Sequence, residues 1–351
     1  MCCAESEPES IAAATALTYF RTIHGHSVTL SLENLMHLTP HRALAVALVS
    51  GLAILPLAAC NRTSPSTSAT GSSAKKITLA VSTLNNPFFV SLKDGAVAEA
   101  KVEGVTLNVV DAQNDATTQA NQLANAQSQN VQAVIVNPVD SDGAGVPVKA
   151  LNNAKIPVIA VDRTVNGATV ASFIASDNVA GGQQAAAELG KLLGGKGDII
   201  VLQGTAGTSA ARDRGKGFTE GMKAFPGIKI VATQTANFDR TQGLNVTTNL
   251  MQAHPGVVGI FAQNDEMALG GIKALGAKAG KTVKLCAFDG TADGISAVKA
   301  GTLNCTVAQQ PSELGKLAVQ QAVKALAGKA DANVPVKTTV ITAANAATFK
   351  G

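Results

Sequence analysis

Aromatic residues and histidine are scarce in this sequence. It contains no tryptophan, a single tyrosine (Tyr19) and ten phenylalanines, and only one of its five histidines (His254) lies beyond residue 59. One histidine leaves little room for a histidine-based metal centre or a Ser-His-Asp triad. Lysine and arginine are scattered without a basic run, and the formal net charge is only +4. A nucleic-acid-binding surface is therefore not expected.

Phosphate-binding motifs are also missing. The pattern GxxxxGK[ST] is absent, and Gly204 and Gly207 lie in a loop before a helical segment without forming GxGxxG. The sequence therefore indicates no cofactor. The chain has 351 residues, 46% of them hydrophobic and 15% charged, which is enough for two domains with separate cores.

The only long apolar run lies near the start. Residues 43–59 are apolar, short for a membrane span, and end in the motif LAAC at Cys60. This motif resembles a bacterial lipobox, and residues 36–59, with Arg42 as the positive end, resemble a lipoprotein signal peptide. The resemblance implies cleavage before Cys60, lipid attachment to its sulfur, membrane contact through that lipid, and a location in the periplasm or at the cell exterior. The alternative is that Cys60 is an ordinary buried cysteine.

The segments on either side of this run have different characters. Residues 1–35 are acidic and begin with two adjacent cysteines, so we interpret them as an upstream extension and expect translation to start at Met36. Residues 60–75 are rich in Ser, Thr, Gly and Pro, which predicts a flexible tether.

Short apolar runs alternate with helical patterns from Lys76 onward. Five strands are predicted first, at 77–83, 106–112, 133–138, 157–163 and 170–178, and five more at 198–204, 228–234, 258–265, 283–290 and 303–310. The intervening segments have apolar residues at helical spacing and end in glycine. This alternation predicts an α/β protein with two doubly wound parallel-sheet domains.

Polar side chains close several of these strands. They are Asn137, Asp162, Arg163, Asn264, Asp289 and Gln309. Ligands of open α/β sheets bind beyond the carboxyl ends of the strands, so these residues predict a binding cleft, and Arg214 could point into it. The alternative is that each Asp or Asn is a turn former or a helix N-cap, but that reading explains Arg163 and Gln309 poorly.

The stretch STLNNPFF, residues 82–89, places Phe88 and Phe89 beside Asn86 just after a strand. Carboxylates, amides and guanidinium groups together match the donors and acceptors of sugar hydroxyls, and aromatic rings pack on the C–H faces of a sugar ring. A site of this composition predicts a sugar ligand.

Eleven motifs carry a family resemblance, in order from about Lys76 to Val340. They are STLNNPFFVSLKDGA, NPVDSD, VDR, IASDNVAGG, LQGTAGTSAARDRGKGF, ANFDR, GLNV, AHPGV, FAQNDEMALG, FDGT and AQQP. The sequence resembles the D-ribose-binding proteins of bacterial ABC transporters, which belong to the periplasmic binding proteins of type I. The resemblance implies two doubly wound domains joined by a three-segment hinge and closing over a sugar. It implies an N-terminal lobe of residues 76–176 plus 310–338 and a C-terminal lobe of residues 177–309 plus 339–351.

The resemblance also implies the role of each site residue. The rings of Phe88, Phe89 and Phe238 stack on the sugar, with Phe288 in the second domain's share of the pocket. Hydroxyl hydrogen bonds come from Asn86, Asn137, Asp162, Arg163, Arg214, Asn264, Asp289 and Gln309. The implied ligand is D-ribose, with allose, galactose or a furanose-like signal as alternatives, and the implied partners are the membrane subunits of the transporter.

Three further expectations follow. Cys286 and Cys305 lie in strands of the second series, where two buried thiols are favoured over a disulfide. The protein is expected to be a monomer and not an enzyme, and whether a chemotaxis receptor also binds its closed form is left open. A sugar-responsive transcription regulator shares this fold, but it would need a helix-turn-helix segment before Lys76, where a signal-like run and a tether stand instead.

Overall fold

The computed structural model describes residues 75–349, in which the strands form two six-stranded sheets. The first sheet contains β1 (Lys76–Val81), β2 (Thr106–Asp111), β3 (Ala133–Val136), β4 (Val158–Val161), β5 (Ser172–Ser176) and β11 (Asn333–Val336). The second contains β6 (Lys196–Gln203), β7 (Gly227–Thr235), β8 (Val257–Ala262), β9 (Lys284–Asp289), β10 (Cys305–Ala308) and β12 (Thr339–Thr342). The strand orders are β11-β5-β4-β3-β1-β2 and β12-β10-β9-β8-β6-β7. We call each sheet with its helices a lobe.

Within the described part of the chain, nine α-helices connect these strands. They are α1 (Pro87–Val102), α2 (Ala116–Ser128), α3 (Gly145–Asn153), α4 (Asn178–Leu192), α5 (Ser209–Met222), α6 (Arg240–Ala253), α7 (Asp265–Leu275), α8 (Ala292–Lys299) and α9 (Pro311–Leu326). Seven of them are preceded by an Asn, Asp or Thr whose side chain accepts a hydrogen bond from a backbone N–H of the first turn. That N–H has no acceptor within the helix, so the cap satisfies it. None of the helices in residues 75–349 combines the length and the apolar character needed to cross a bilayer.

Both faces of each sheet are covered, which explains why the central strands are continuously apolar. All four residues of β3 and all four of β4 are buried. In the first lobe, α1 and α9 pack on one face and α2 and α3 on the other. In the second lobe, α4 and α5 cover one face and α6, α7 and α8 the other. Parallel strands need such double cover, so the fold class predicted from the sequence is confirmed.

The chain passes between the lobes three times. It leaves the first sheet after Ser176, returns after Ala308, and leaves again after Val336. All ten predicted strands are present, but β11 and β12 were not predicted. They are short and mostly not buried, so they lack the apolar run that marks the other strands. Strand β12 pairs antiparallel with β10, so the second sheet is parallel except at this edge.

A disulfide joins Cys286 to Cys305, so the expectation of two buried thiols is wrong. The two residues are direct partners in the parallel register of β10 and β9, and their Cα atoms are 4.6 Å apart. This separation lies within the range that a disulfide can span. The register of neighbouring strands thus brings the sulfurs together, and it could not be read from the sequence.

The signal-like run, Cys60 and most of the predicted tether lie outside the described residues.

Candidate functional site

A small cavity lies between the carboxyl edges of the two sheets. Ten of the twelve residues predicted to bind ligand line it, and Ala210 is the one lining residue that was not predicted. The lining residues are Asn86, Phe88, Phe89, Asp162, Arg163, Ala210, Arg214, Phe238, Asn264, Asp289 and Gln309. The side chain of Ala210 is only a methyl group, so nothing in the sequence marks this residue as part of a binding site. Asn137 and Phe288 lie one layer behind the cavity wall.

Asn137 fixes Asp162 in place. Its side chain is fully buried, and its Nδ2 donates to Asp162 Oδ2 at 3.2 Å and to the carbonyl of Val161 at 3.3 Å. Its Oδ1 accepts from the backbone N–H of Ser82 at 3.1 Å. These bonds use both N–H donors of the amide and one lone pair of its oxygen on protein partners. Asn137 therefore orients a lining residue and is not part of the cavity wall.

Asp162 and Arg163 form the polar wall of the first lobe. Asp162 has φ 65°, a left-handed conformation that turns its carboxylate off the end of β4. Arg163 Nη1 donates to the carbonyl of Pro138 at 2.9 Å, and its Nε lies 3.6 Å from Asp162 Oδ2. Burial raises the pKa of Asp162, and the charges of Arg163 and Arg214 oppose that rise. Burial likewise lowers the pKa of Arg163, against the attraction of Asp162.

Arg214 is the corresponding cation of the second lobe. It lies in α5, and its side chain is almost fully buried. Its Nε donates to Asn178 Oδ1 at 2.8 Å, and its Nη1 donates to the carbonyl of Gln263 at 2.7 Å and to Asp289 Oδ1 at 3.3 Å. The guanidinium lies 3.9 Å above the ring of Phe288, a cation–π contact. Phe288 therefore supports Arg214 from below and does not face the cavity.

Asp289 lies where β9 ends, next to the strand that leads to Gln309. Its backbone has φ 114°, which is rare for a residue other than glycine. Its Oδ1 accepts from Gln309 Nε2 at 2.7 Å as well as from Arg214. Burial raises the pKa of Asp289 to about 8, although the positive charge of Arg214 opposes this. An ionised Asp289 is thus costly until further donors reach it.

Three phenylalanine rings add apolar surface from both lobes. Phe88 and Phe89 pack edge to face with centroids 5.1 Å apart, and both belong to the core of the first lobe as well as to the cavity wall. Phe238 comes from the loop before α6, with φ 58°. The guanidinium of Arg163 lies 5.2 Å from the ring of Phe89 and 5.7 Å from that of Phe238. A ligand between the lobes would thus meet rings on two sides.

Asn86 and Asn264 have two functions at once. The Oδ1 of Asn86 accepts from the backbone N–H of Phe88 and caps α1, while the Oδ1 of Asn264 accepts from that of Met267 and caps α7. Both side chains also line the cavity. Capping and ligand binding are alternatives for Asn264 in the sequence analysis, and the structure allows both.

Direct hydrogen bonds join the lobes at the rim of the cavity. Ser141 N–H donates to the carbonyl of Gly207 at 3.1 Å, Ser209 N–H donates to Ser141 Oγ at 3.1 Å, and Thr164 N–H donates to Ser209 Oγ at 2.9 Å. The structure is therefore a closed arrangement. The lining residues within the described chain include no His, Ser, Cys or Lys, so the cavity wall offers no imidazole, hydroxyl, thiol or amine nucleophile.

Residues 77–330 match the model of the periplasmic binding protein domain family. The ribose import binding protein of Salmonella typhimurium is 49% identical over 277 residues, which cover 78% of this chain and 92% of that protein. The ribose import binding protein of Bacillus subtilis is 42% identical over 81% of this chain and 94% of its own length. Among solved structures, an ABC transporter solute-binding protein from Bacillus halodurans with bound myo-inositol has a TM-score of 0.75 and 33% identity, covering 79% of this chain and 98% of that one. A periplasmic solute-binding protein from Actinobacillus succinogenes with bound D-allose has a TM-score of 0.74 and 30% identity, covering 78% of this chain and all of that one.

Proposed function

Given that this chain belongs to the periplasmic binding protein family, we propose that it captures D-ribose between its lobes and delivers the sugar to the membrane subunits of an ABC importer. The proposed lobes are residues 76–176 plus 310–338 and residues 177–309 plus 339–351. The sheets support this division, because β5 and β11 belong to the first sheet and β12 belongs to the second. The alternative ligand is a related sugar, since relatives of similar fold bind D-allose and myo-inositol. The sugar is not altered, so the protein is not an enzyme.

One observation carries the proposal. Three buried polar atoms of lining residues have no hydrogen-bond partner: Asp162 Oδ1, Arg163 Nε and Gln309 Oε1. A buried polar group without a partner costs about 1–3 kcal/mol, so these three atoms at the cavity wall favour a ligand that forms hydrogen bonds. Two are acceptors and one is a donor. A hydroxyl can serve either kind, and a ligand that carries several hydroxyls can serve all three.

The proposed mechanism is a shift between open and closed arrangements. The sugar contacts both lobes only in the closed form, so its binding favours closure, and the importer would recognise that form. Micromolar affinity corresponds to about 8 kcal/mol, which several charge-assisted hydrogen bonds and ring contacts supply after the cost of ordering.

We also propose that the mature protein is a monomer in the periplasm or at the cell exterior, held by a lipid on Cys60. The sequence motif at Cys60 supports this, and periplasmic location agrees with the family. Mass spectrometry of the mature protein tests it. An N-terminal peptide that begins with lipid-modified Cys60 is expected, whereas a peptide from residues 1–35 would contradict both the cleavage and the proposed start at Met36.

A thermal-shift panel of pentoses and hexoses tests the proposed ligand. A sugar that binds only the native state raises the melting temperature, and we expect the largest rise with D-ribose. A larger rise with another sugar would favour the alternative, and no rise with any sugar would refute the proposal. Recovery of unchanged ribose after incubation would exclude a reaction.

A further inference from the structure

We propose that Asp265, which does not line the cavity, is the positioning residue that holds the turn carrying Asp289 against the hinge strand β10. The inference rests on the proposed function, because its effect is read through sugar binding. Asp265 is the first residue of α7 and is completely buried. Burial raises its pKa to about 6, and the hydrogen bonds that its carboxylate accepts from Thr306 and Thr291 oppose that rise.

The carboxylate of Asp265 accepts three hydrogen bonds from two other elements. Its Oδ2 accepts from the backbone N–H of Thr291 at 2.7 Å and from Thr291 Oγ1 at 2.9 Å. Its Oδ1 accepts from Thr306 Oγ1 at 2.7 Å. Thr306 lies in β10, and Thr291 begins α8. A single side chain thus joins α7, α8 and the hinge strand.

The turn that it holds is unusual. Asp289 and Gly290 have φ values of 114° and 71°, a left-handed pair directly after β9. A Cβ at Gly290 would lie 2.4 Å from the Cβ of Ala308, so the turn is pressed against β10. The N–H of Gly290 donates to Thr306 Oγ1 at 3.2 Å, while the same hydroxyl donates to Asp265. Both backbone N–H groups after Asp289 are therefore tied to Asp265, one directly and one through Thr306.

Helix α8 approaches the carboxylate of Asp265 closely. A Cβ at Gly294, in the first turn of α8, would lie 2.1 Å from Asp265 Oδ2, so only glycine allows α8 to approach this closely. Asp265 also follows Asn264 and adjoins the strand that leads to Gln309. Three cavity groups of the second lobe (Asn264, Asp289 and Gln309) thus depend on one anchoring point.

A double-mutant cycle tests the inference. Asp265→Asn keeps the shape but removes charge and replaces an acceptor oxygen with a donor, which leaves donors of Thr291 or Thr306 without a partner. We expect the Kd for the sugar identified in the thermal-shift panel to rise at least about tenfold by calorimetry, since bonds to a charged acceptor are lost. In an Asp289→Asn background the same change should cost less than about threefold, because the residue acts through Asp289.

Two further variants complete the design. Thr306→Val removes the hydroxyl that links Asp265 to the N–H of Gly290 but leaves both bonds from Thr291 to Asp265, and it should raise the Kd several-fold while the fold persists. Asp293→Asn is the matched control, because Asp293 lies in the same first turn of α8 but is 63% exposed and pairs with Arg240. Its Kd should stay within about twofold of the wild type. Hydrogen exchange of the turn after Asp289 should accelerate in Asp265→Asn and not in the control.

The outcomes are distinguishable. If the wild type binds a sugar and Asp265→Asn has the same affinity, or the same fold-loss in both backgrounds, the inference is wrong and the proposed function stands. If Asp265→Asn does not fold, the same comparison is made with Thr306→Val, and equal losses in both backgrounds overturn the inference. If the wild type binds no sugar, the proposed function fails and the inference falls with it.

Discussion

Asp289→Asn should weaken sugar binding and, at the same time, stabilise the unliganded protein. The substitution preserves shape, and asparagine tolerates the positive φ of 114° at this position better than alanine would. It removes a carboxylate that accepts from Gln309 and Arg214 and that we propose also accepts from the sugar. The two effects have opposite signs because the charge is costly in the empty cavity and useful in the filled one.

The magnitude follows from the contacts. A hydrogen bond to a charged group contributes about 1.5–3 kcal/mol, so the Kd should rise about 10- to 150-fold. Stability should move the other way. Burial raises the pKa of Asp289 to about 8, which means that the folded protein resists ionising this group at neutral pH. The variant has no such group to ionise, so its melting temperature without sugar should equal or exceed that of the wild type near pH 8.

Calorimetry gives the affinity, and thermal unfolding without sugar gives the stability. Asp293→Asn is again the control, since it removes an exposed carboxylate and should change neither quantity appreciably. Unchanged affinity in Asp289→Asn would remove this residue from the binding site. A lower affinity together with a lower melting temperature would show that the carboxylate stabilises the fold and would refute the reasoning about its burial.

Three other predictions follow from the structure. The pKa of Asp289 is raised from an ordinary 3.8 to about 8, so the stability that its bound proton contributes is complete below 3.8 and lost as pH rises through 8. Without sugar, the melting temperature should therefore be lower at pH 8 than at pH 5. The rise in melting temperature on adding sugar should be larger at pH 8. A higher melting temperature at pH 8 without sugar would contradict this. Replacing Cys286 and Cys305 with alanine opens a link over a sequence separation of 19 residues and should cost about 3 kcal/mol in denaturant unfolding, whereas no change on reduction would contradict a formed disulfide. Gly181→Ala places a Cβ 2.6 Å from the ring of Phe288, which should displace the support beneath the buried guanidinium and weaken sugar binding in calorimetry, and unchanged affinity would show that the ring can shift without consequence.

The side chains at strand ends could be predicted because their position follows from topology alone. Parallel strands deliver their carboxyl ends to one edge, so Asn264 and Asp289 were expected at one edge of the second sheet and Asp162 at the same edge of the first. Whether each of these side chains faces the cavity or lies behind its wall could not be predicted in the same way. Asn137 ends a strand like the others, yet its amide points sideways to Ser82 and Asp162. That direction depends on neighbours contributed by other strands.

Phe88 and Phe89 show another limit of sequence reasoning. The sequence predicts these rings as part of a sugar site and gives no sign of their place in the core. Both are 4% exposed, both pack in the core of the first lobe, and both line the cavity. The wall of a cleft between two lobes is the outer surface of a core, so one ring serves both purposes.

Interactions between distant parts of the chain were invisible to the sequence. The disulfide depends on the register of β9 and β10, and the anchoring by Asp265 depends on contacts to Thr291 and Thr306, 26 and 41 residues away. Neither has a local pattern. The edge strands β11 and β12 were missed for a different reason, since few of their residues are buried and hydrophobic periodicity is weak.

The threefold passage of the chain between the lobes sets the order in which the protein can mature. Synthesis runs from the N-terminus, but the first lobe needs α9 and β11 to cover its core and complete its sheet, and the second needs β12. Buried residues of α9 such as Leu314 and Val319 belong to the core that Phe88 and Phe89 begin. Neither sheet is therefore complete until β11 and β12 have emerged. A nascent chain stopped at residue 310 would carry two unfinished lobes, and its exposed apolar surface would favour aggregation until the remaining residues are made.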